Sequence, residues 1–149
     1  MLKQVKIVRE TKNGETAQVP TYATPGSAGA DVRAFCPGVR IVVKPAQVAM
    51  VPTGLKLGIP EFTGWYILPR SGMGKKKFTI PNAPGLLDSD YTDQLMVLIH
   101  NETDEDLVIN NGDRIAQLVL IDTYQMQFVE VDDLAKTERK GGFGSTGVA

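Results

Sequence analysis

Apolar residues in this chain come in short bursts that proline and glycine cut off before a helix could complete itself. The runs 5–8, 39–43, 48–51, 55–59, 65–68, 78–80, 95–99, 107–109, 115–121 and 127–131 are rich in β-branched and aromatic residues, the types that fit a pleated surface. Between them stand Pro25-Gly26, Pro37-Gly38, Pro45, Pro52-Thr53-Gly54, Pro60, Pro81-Asn82-Ala83-Pro84-Gly85 and Asn111-Gly112. Proline fixes φ and removes a donor, and glycine admits positive φ, so each cluster ends its run in a turn. No window sustains an apolar period of about 3.6 residues over three turns. Helical turns fit only at 72–76 and 132–136. The pattern predicts an all-β protein, a sandwich or barrel of about ten short strands with at most one or two short helical turns.

The chain has 149 residues, the length of a single domain with a proper core. Lys and Arg number 16 against 17 Asp and Glu, so no global basic field exists to hold long nucleic acid. One cysteine, Cys36, can make neither an internal disulfide nor a zinc cluster, which fits a reducing compartment. The N-terminal stretch MLKQVKIVRE is too charged for a signal peptide, and no apolar run approaches the ~20 residues of a membrane helix. The expectation is a cytoplasmic protein without membrane or nucleic-acid partners.

Four stretches carry polar residues that an all-β framework does not need. In PNAPGLLDSDYTDQL (81–95) a tight turn leads into Leu86 and Leu87, which read as buried, and then into Asp88, Asp90 and Tyr91. If the chain is extended there, Asp88 and Asp90 face one side and Tyr91 the other. A carboxylate set against an apolar strand can act as a general base on water; the same residues also read as a capped surface turn. In PRSGMGKKK (69–77), Arg70 and Ser71 follow an apolar strand, with Ser71 near the N-cap of a short helix. Backbone N–H groups, a guanidinium and a hydroxyl suit phosphate oxygens, although taken alone the stretch reads slightly better as a capped surface turn with solvated lysines, and the GxxxxGK[ST] spacing is absent. In NGDRIAQLVL (111–120), Asn111-Gly112 signals a hairpin, and Gln117 interrupts an apolar strand. A buried amide there either braces the core or faces a ligand, and Arg114 is free to pair with a carboxylate, within the chain or across an interface. In GSAGADVRAF (26–35), Asp31 braces a turn, orients an arginine, or orders the water shell of a metal. His100 is the only histidine, so a zinc ligand set or a Ser-His-Asp triad has no support. His100-Asn101-Glu102 matches half of the zinc-deaminase signature, without its P-C-x-x-C half.

Taken together and in order, these stretches resemble the homotrimeric dUTP pyrophosphatases (dUTPases). Five motifs carry the resemblance: AGADVRA (28–34), PRSGMGKK (69–76), NAPGLLDSDYTDQL (82–95), GDRIAQL (112–118) and GGFGSTG (141–147). It implies a distorted jelly-roll or β-barrel (β-clip) domain over 1–136. A flexible glycine-rich arm, 137–149, would close over the active site. It also implies Mg²⁺-assisted hydrolysis of dUTP to dUMP and pyrophosphate, in a homotrimer whose sites are shared between subunits. On this resemblance Asp88 is the base that activates water toward the α-phosphorus. Arg70, Ser71, Gly72 and Gln117 contact the triphosphate, and Tyr91 packs under the deoxyribose. Asn82 and the hairpin backbone read uracil, with Leu86, Leu87 and Met96 also lining the substrate. Mg²⁺ sits on phosphates and waters, so Asp31 acts through the water shell or by bracing Arg70 and is no direct ligand. From the tail, Phe143 stacks on uracil while Gly144, Ser145 and Thr146 face phosphate.

Two departures stand out. Asp93 occupies a position where the family usually has glycine, and Arg139 lies one residue closer to GGFG than the usual arginine, leaving Arg139 or Lys140 to serve. A dCTP deaminase relative is disfavoured by the pairing of Asp88 with Tyr91. A nucleotide-binding regulator with weak catalysis draws its only support from Asp93 and the shortened tail.

Overall fold

Alternating burial decides which face of each strand meets the core. In the computed structural model, which describes residues 3–135 and Glu138, Trp65 and Ile67 turn inward from one strand and Val97, Ile99 and Asn101 from another. Among the described residues thirteen strands form: β1 (Lys6–Arg9), β2 (Thr11–Lys12), β3 (Glu15–Thr16), β4 (Ala30–Arg33), β5 (Ile41–Val43), β6 (Val48–Pro52) and β7 (Leu55–Gly58), then β8 (Thr63–Leu68), β9 (Phe78–Thr79), β10 (Gly85–Leu87), β11 (Met96–Asn101), β12 (Leu107–Ile109) and β13 (Arg114–Asp122). One short helix, α1 (Ser71–Lys75), lies between β8 and β9.

All pairings between these strands are antiparallel. A four-stranded sheet runs β10-β8-β13-β4 and a three-stranded sheet runs β6-β11-β9, with the pairs β1-β7, β12-β5 and β2-β3 around them. Both larger sheets bury their inner faces in one apolar cluster that includes Val32, Val51, Trp65, Leu95, Ile99 and Leu118. This is the distorted jelly-roll arrangement the sequence leads one to expect. No helix among the described residues is long and apolar enough to cross a membrane.

A buried amide ties the layers together. Asn101, wholly buried, donates through Nδ2 to the carbonyls of Val43 (2.9 Å) and Glu105 (2.7 Å). Its Oδ1 accepts from the Thr103 backbone N–H (2.9 Å) and the Thr103 hydroxyl (2.8 Å). Every polar atom of the side chain is satisfied, so Asn101 braces the β11–β12 connection. His100 beside it lies 3.6 Å from Glu102 and faces no metal cluster among the described residues.

Several expectations are corrected. The run 127–131 forms no strand and is exposed, and residues 132–135 form no helical turn; Lys136 lies outside the described residues. Asn111-Gly112 makes a turn, with the Asp113 N–H donating to the Asn110 carbonyl (3.1 Å), but no hairpin. The strands it joins belong to different sheets, β12 pairing with β5 and β13 with β4 and β8. The true two-residue hairpin is β2–β3, around Asn13-Gly14 with φ of 52° and 78°.

Candidate active site

The polar residues of three motifs meet on one face of the four-stranded sheet because of its register. Gln117 of β13 lies opposite Asp31 of β4 on one side and opposite Leu68 of β8 on the other. Paired residues project to the same face, and Arg70, two residues past Leu68 on extended backbone, returns to it. The Arg70 Nε donates to Asp31 Oδ1 at 2.8 Å and Gln117 Nε2 to the same oxygen at 3.4 Å. Arg114 Nη1 donates to Asp31 Oδ2 at 3.3 Å. Gly29 makes room: a Cβ there would stand 3.1 Å from the Gln117 side chain.

Asp31 is buried at 4% exposure. Burial alone would raise its pKa, but the hydrogen bond and charge of Arg70, the charge of Arg114 and the Gln117 amide outweigh it. The carboxyl is held below the ordinary carboxylate value and stays ionised. Of the roles left open for Asp31, the geometry favours orientation of an arginine, and Arg114 finds its carboxylate within the same chain. The result is a cationic cradle with its arginines locked from behind.

Ser71 is the first residue of α1; the N-cap is Arg70, which makes no side-chain capping bond, so Ser71 stands one position later than expected. Ser71 and Gly72 are exposed beside Arg70, and nothing beyond the neighbouring helical backbone lies within 4 Å of a Cβ placed on Gly72. The surface in front of the cradle is open.

Asp88 comes in at the far end of β8. Strand β10 pairs Gly85 with Ile67 and Leu87 with Trp65, which delivers Asp88 alongside Gly64. Asp88 is exposed, and its carbonyl accepts the Tyr91 N–H at 3.2 Å. The chain therefore turns over 88–91 and does not continue as an extended strand with Asp88 and Asp90 on one face. Tyr91 is half-buried against the core, its hydroxyl donating to the Gln94 carbonyl at 2.9 Å. Leu87 is buried as expected, whereas Leu86 is 57% exposed, because alternation in a three-residue strand can bury only one of the two leucines. Asn82 is exposed in the turn before β10, with its Nδ2 close over Gly85, and Met96 is half-buried at the start of β11. Asp93 is exposed and is not among the residues with positive φ, so its backbone does not require glycine. Arg139, Phe143, Gly144, Ser145 and Thr146 lie outside the described residues.

Six residue steps lead from Gly64 to Arg70, about 20 Å at the ~3.3 Å rise of a strand. A general base must stand within hydrogen-bond reach of the water it activates, about 3 Å. Asp88 and the Arg70 cradle of one chain therefore stand too far apart to act on one water. Sequence reasoning did not place Arg114 in the site, because it reaches Asp31 only through a register shift in β13 between Arg114 and Ala116 that no local signal marks.

An antiparallel jelly roll with a braced cationic cradle at one end of a strand, and a carboxylate beside a half-buried tyrosine at the other, defines a protein of the nucleotide-polyphosphate-handling class. The dUTPase family model matches residues 15–147, and the chain belongs to the dUTPase family. The deoxyuridine 5'-triphosphate nucleotidohydrolase of Caulobacter vibrioides is 50% identical over 133 residues, covering 87% of this chain and 86% of its own. That of Treponema denticola is 47% identical over 141 residues, covering 93% and 97%. A mutant dUTPase of Staphylococcus bacteriophage 80alpha, solved with dUpNHpp, shares the fold at a TM-score of 0.81 with 24% identity, over 99% of this chain and 100% of its own.

Proposed function

We propose that this enzyme is a dUTP diphosphatase that hydrolyses dUTP to dUMP and pyrophosphate, keeping uracil out of DNA and supplying dUMP for thymidylate synthesis. The observation that carries the reading is the convergence of Arg70, Arg114 and Gln117 on buried Asp31. Asp31 engages Arg70 through Nε, which leaves both terminal amino groups for a bidentate grip on phosphate oxygens. Ser71 and Gly72 add donors beside them, and Gln117 keeps its Oε1 and a second N–H. Asp88 removes the proton from a water that attacks the α-phosphorus; the bond to the bridging oxygen breaks, and pyrophosphate leaves. Positioning supplies most of the rate. Tyr91, its hydroxyl engaged by Gln94, offers its ring to the deoxyribose, where a 2′-hydroxyl would collide. Asn82 and the hairpin backbone pair with uracil, and cytosine would leave those groups unpaired.

Mg²⁺ fits this site as an ion carried on the substrate. Both oxygens of Asp31 are engaged by the chain's own donors, and no cluster of three metal-ligating side chains exists among the described residues. Held by phosphate oxygens and water, it would neutralise charge developing on the phosphates.

The Asp88 end and the cradle form one site if a second copy brings its Asp88 end to this chain's cradle, as in a homotrimer with shared sites. Around the Asp88 end, Phe62 is 73% and Tyr124 90% exposed, alongside Leu86. Phe62 holds a φ of 57°, costly for a bulky residue, while exposed. Tyr124, Met126 and Phe128 alternate with Gln125 and Gln127, a strand pattern without a partner strand among the described residues. These features suit contact with another copy. Arg139, Phe143, Gly144, Ser145 and Thr146 would close the loaded site.

Pyrophosphate release measured with dUTP, dCTP, dTTP and UTP tests the reading. Fast release from dUTP alone is expected. Tight dUTP binding without turnover, or a deaminated product from dCTP, would overturn it, and a monomeric mass for the active enzyme would overturn the shared site.

A further inference from the structure

We infer that Arg114 is a positioning residue for the phosphate cradle: it holds the second oxygen of Asp31 so that the first stays committed to Arg70 and Gln117. The inference rests on the reading of Arg70 and Gln117 as triphosphate contacts.

The observation behind it is the irregularity in β13. Arg114 pairs with Arg33 and Ala116 with Val32, so two steps on β13 answer one step on β4. In a regular strand a residue three positions before Gln117 would face the opposite side of the sheet. The extra residue puts Arg114 on the face of Arg33, which is also the face of Asp31. Without the bulge, Arg114 would point away and Asp31 would keep one guanidinium. The bulge spends a residue of the longest strand among those described on aiming this side chain.

The division of the carboxylate follows. Oδ1 receives Arg70 at 2.8 Å and Gln117 at 3.4 Å, and Oδ2 receives Arg114 at 3.3 Å. A carboxylate bonded at one oxygen only can swing about χ2, carrying Arg70 and Gln117 with it; one held at both is fixed in plane. The groups facing Asp31 are Arg70 from the segment after β8, Arg114 and Gln117 from β13, and the uncharged Thr21 bridged to its backbone; Arg33, on the same face of β4, turns its guanidinium to the Gly112 carbonyl (3.1 Å). Arg114 is 46% exposed and touches no other described carboxylate within ion-pair distance, so its charge is available to Asp31 alone.

The test compares the wild-type enzyme with Arg114→Gln and Arg114→Lys, using dUTP with Mg²⁺ in the native oligomer. Arg114→Gln keeps the length and loses the charge. Its KM for dUTP should rise about 3- to 10-fold, the scale of one partly screened charge-assisted contact acting through another residue. The acid limb of kcat/KM should move to higher pH, since Asp31 loses a cation that favours its ionised form. Arg114→Lys should restore the limb and only part of the KM. In an Asp31→Asn background, Arg114→Gln should add nothing further, because the coupling runs through that carboxylate. Wild-type KM and an unmoved limb in Arg114→Gln would overturn the inference. If Arg114→Gln does not fold, Arg114→Lys decides: a raised KM with an unmoved limb supports the inference, and a wild-type KM sinks it. Arg70→Ala and Gln117→Ala separate the two levels. If both leave KM unchanged, the cradle reading fails; if both raise it while Arg114→Gln does not, only the role of Arg114 fails.

Discussion

Replacing Asp31 by asparagine should loosen the protein by an amount that can be worked from its contacts. The substitution keeps an acceptor for the Arg70 Nε but removes the charge, so a charge-assisted bond of 2.8 Å becomes an ordinary one. That difference is about 1–1.5 kcal/mol. The new amide must also turn its N–H₂ toward either Arg114 or the Arg70–Gln117 pair, setting donor against donor in a site where Asp31 is 4% exposed. This adds roughly 1 kcal/mol, limited because Arg114, 46% exposed, can swing into solvent. The sum, about 2–2.5 kcal/mol, corresponds to a fall in Tm of about 4–10 °C for a chain of this size, read at fixed protein concentration. The pH dependence sharpens the test. The folded Asp31 pKa lies below its unfolded value, so its contribution is fully present above the ordinary carboxylate range and disappears as pH falls through the folded pKa. The wild type should therefore lose its advantage over Asp31→Asn on acidification, and the two melting curves should converge. Equal Tm values at neutral pH, or a gap that widens in acid, would refute the view that Asp31 is held ionised by the arginines.

Other perturbations isolate other parts of the molecule. Asp88→Asn should lower kcat by about 10²–10⁴-fold, the range of a lost general base, with dUTP affinity near wild type by calorimetry; affinity collapsing along with activity would remove Asp88 from that role. Truncation after Thr137 should leave the fold and oligomer mass intact by circular dichroism and light scattering while turnover is mostly lost, and full activity would dismiss the tail as a lid. Gly54→Ala should cost about 2–4 kcal/mol in denaturant unfolding: Gly54 has a φ of 66°, and a Cβ would sit 2.5 Å from the Phe35 ring and 2.8 Å from Ala17. A neutral result there would mean that the Phe35 pocket can open.

Much of the framework could be read locally. The runs that become β8, β11, β12 and β13 announce themselves by β-branched and aromatic residues between turn formers, and α1 by the absence of that pattern around Gly72. The run 127–131 shows the limit. Its composition is that of a strand, but a strand needs a neighbour, and the described chain provides none. The reverse error concerns β4 and β10: Ala30–Arg33 and Gly85–Leu87 are short and ordinary, and they become strands because β13 and β8 offer them edges. The Asn13-Gly14 hairpin goes unmarked in the sequence, because its two-residue strands are too short to show an apolar run.

The site divides in the same way. The sequence by itself determined which residues are out of place in an all-β framework, Asp31, Arg70, Ser71, Asp88, Tyr91 and Gln117, because a polar residue in or beside an apolar run is a local anomaly. It also carried the order of motifs that marks the dUTPase family. Only the tertiary structure decided who meets whom. Cross-strand register placed Gln117 opposite Asp31. A bulge turned Arg114 onto their face. The pairing of β10 with β8 set Asp88 beside Gly64, about 20 Å along the chain from Arg70 at ~3.3 Å per residue. Register, bulges and strand order come from contacts between segments distant in the chain, and no local window encodes them.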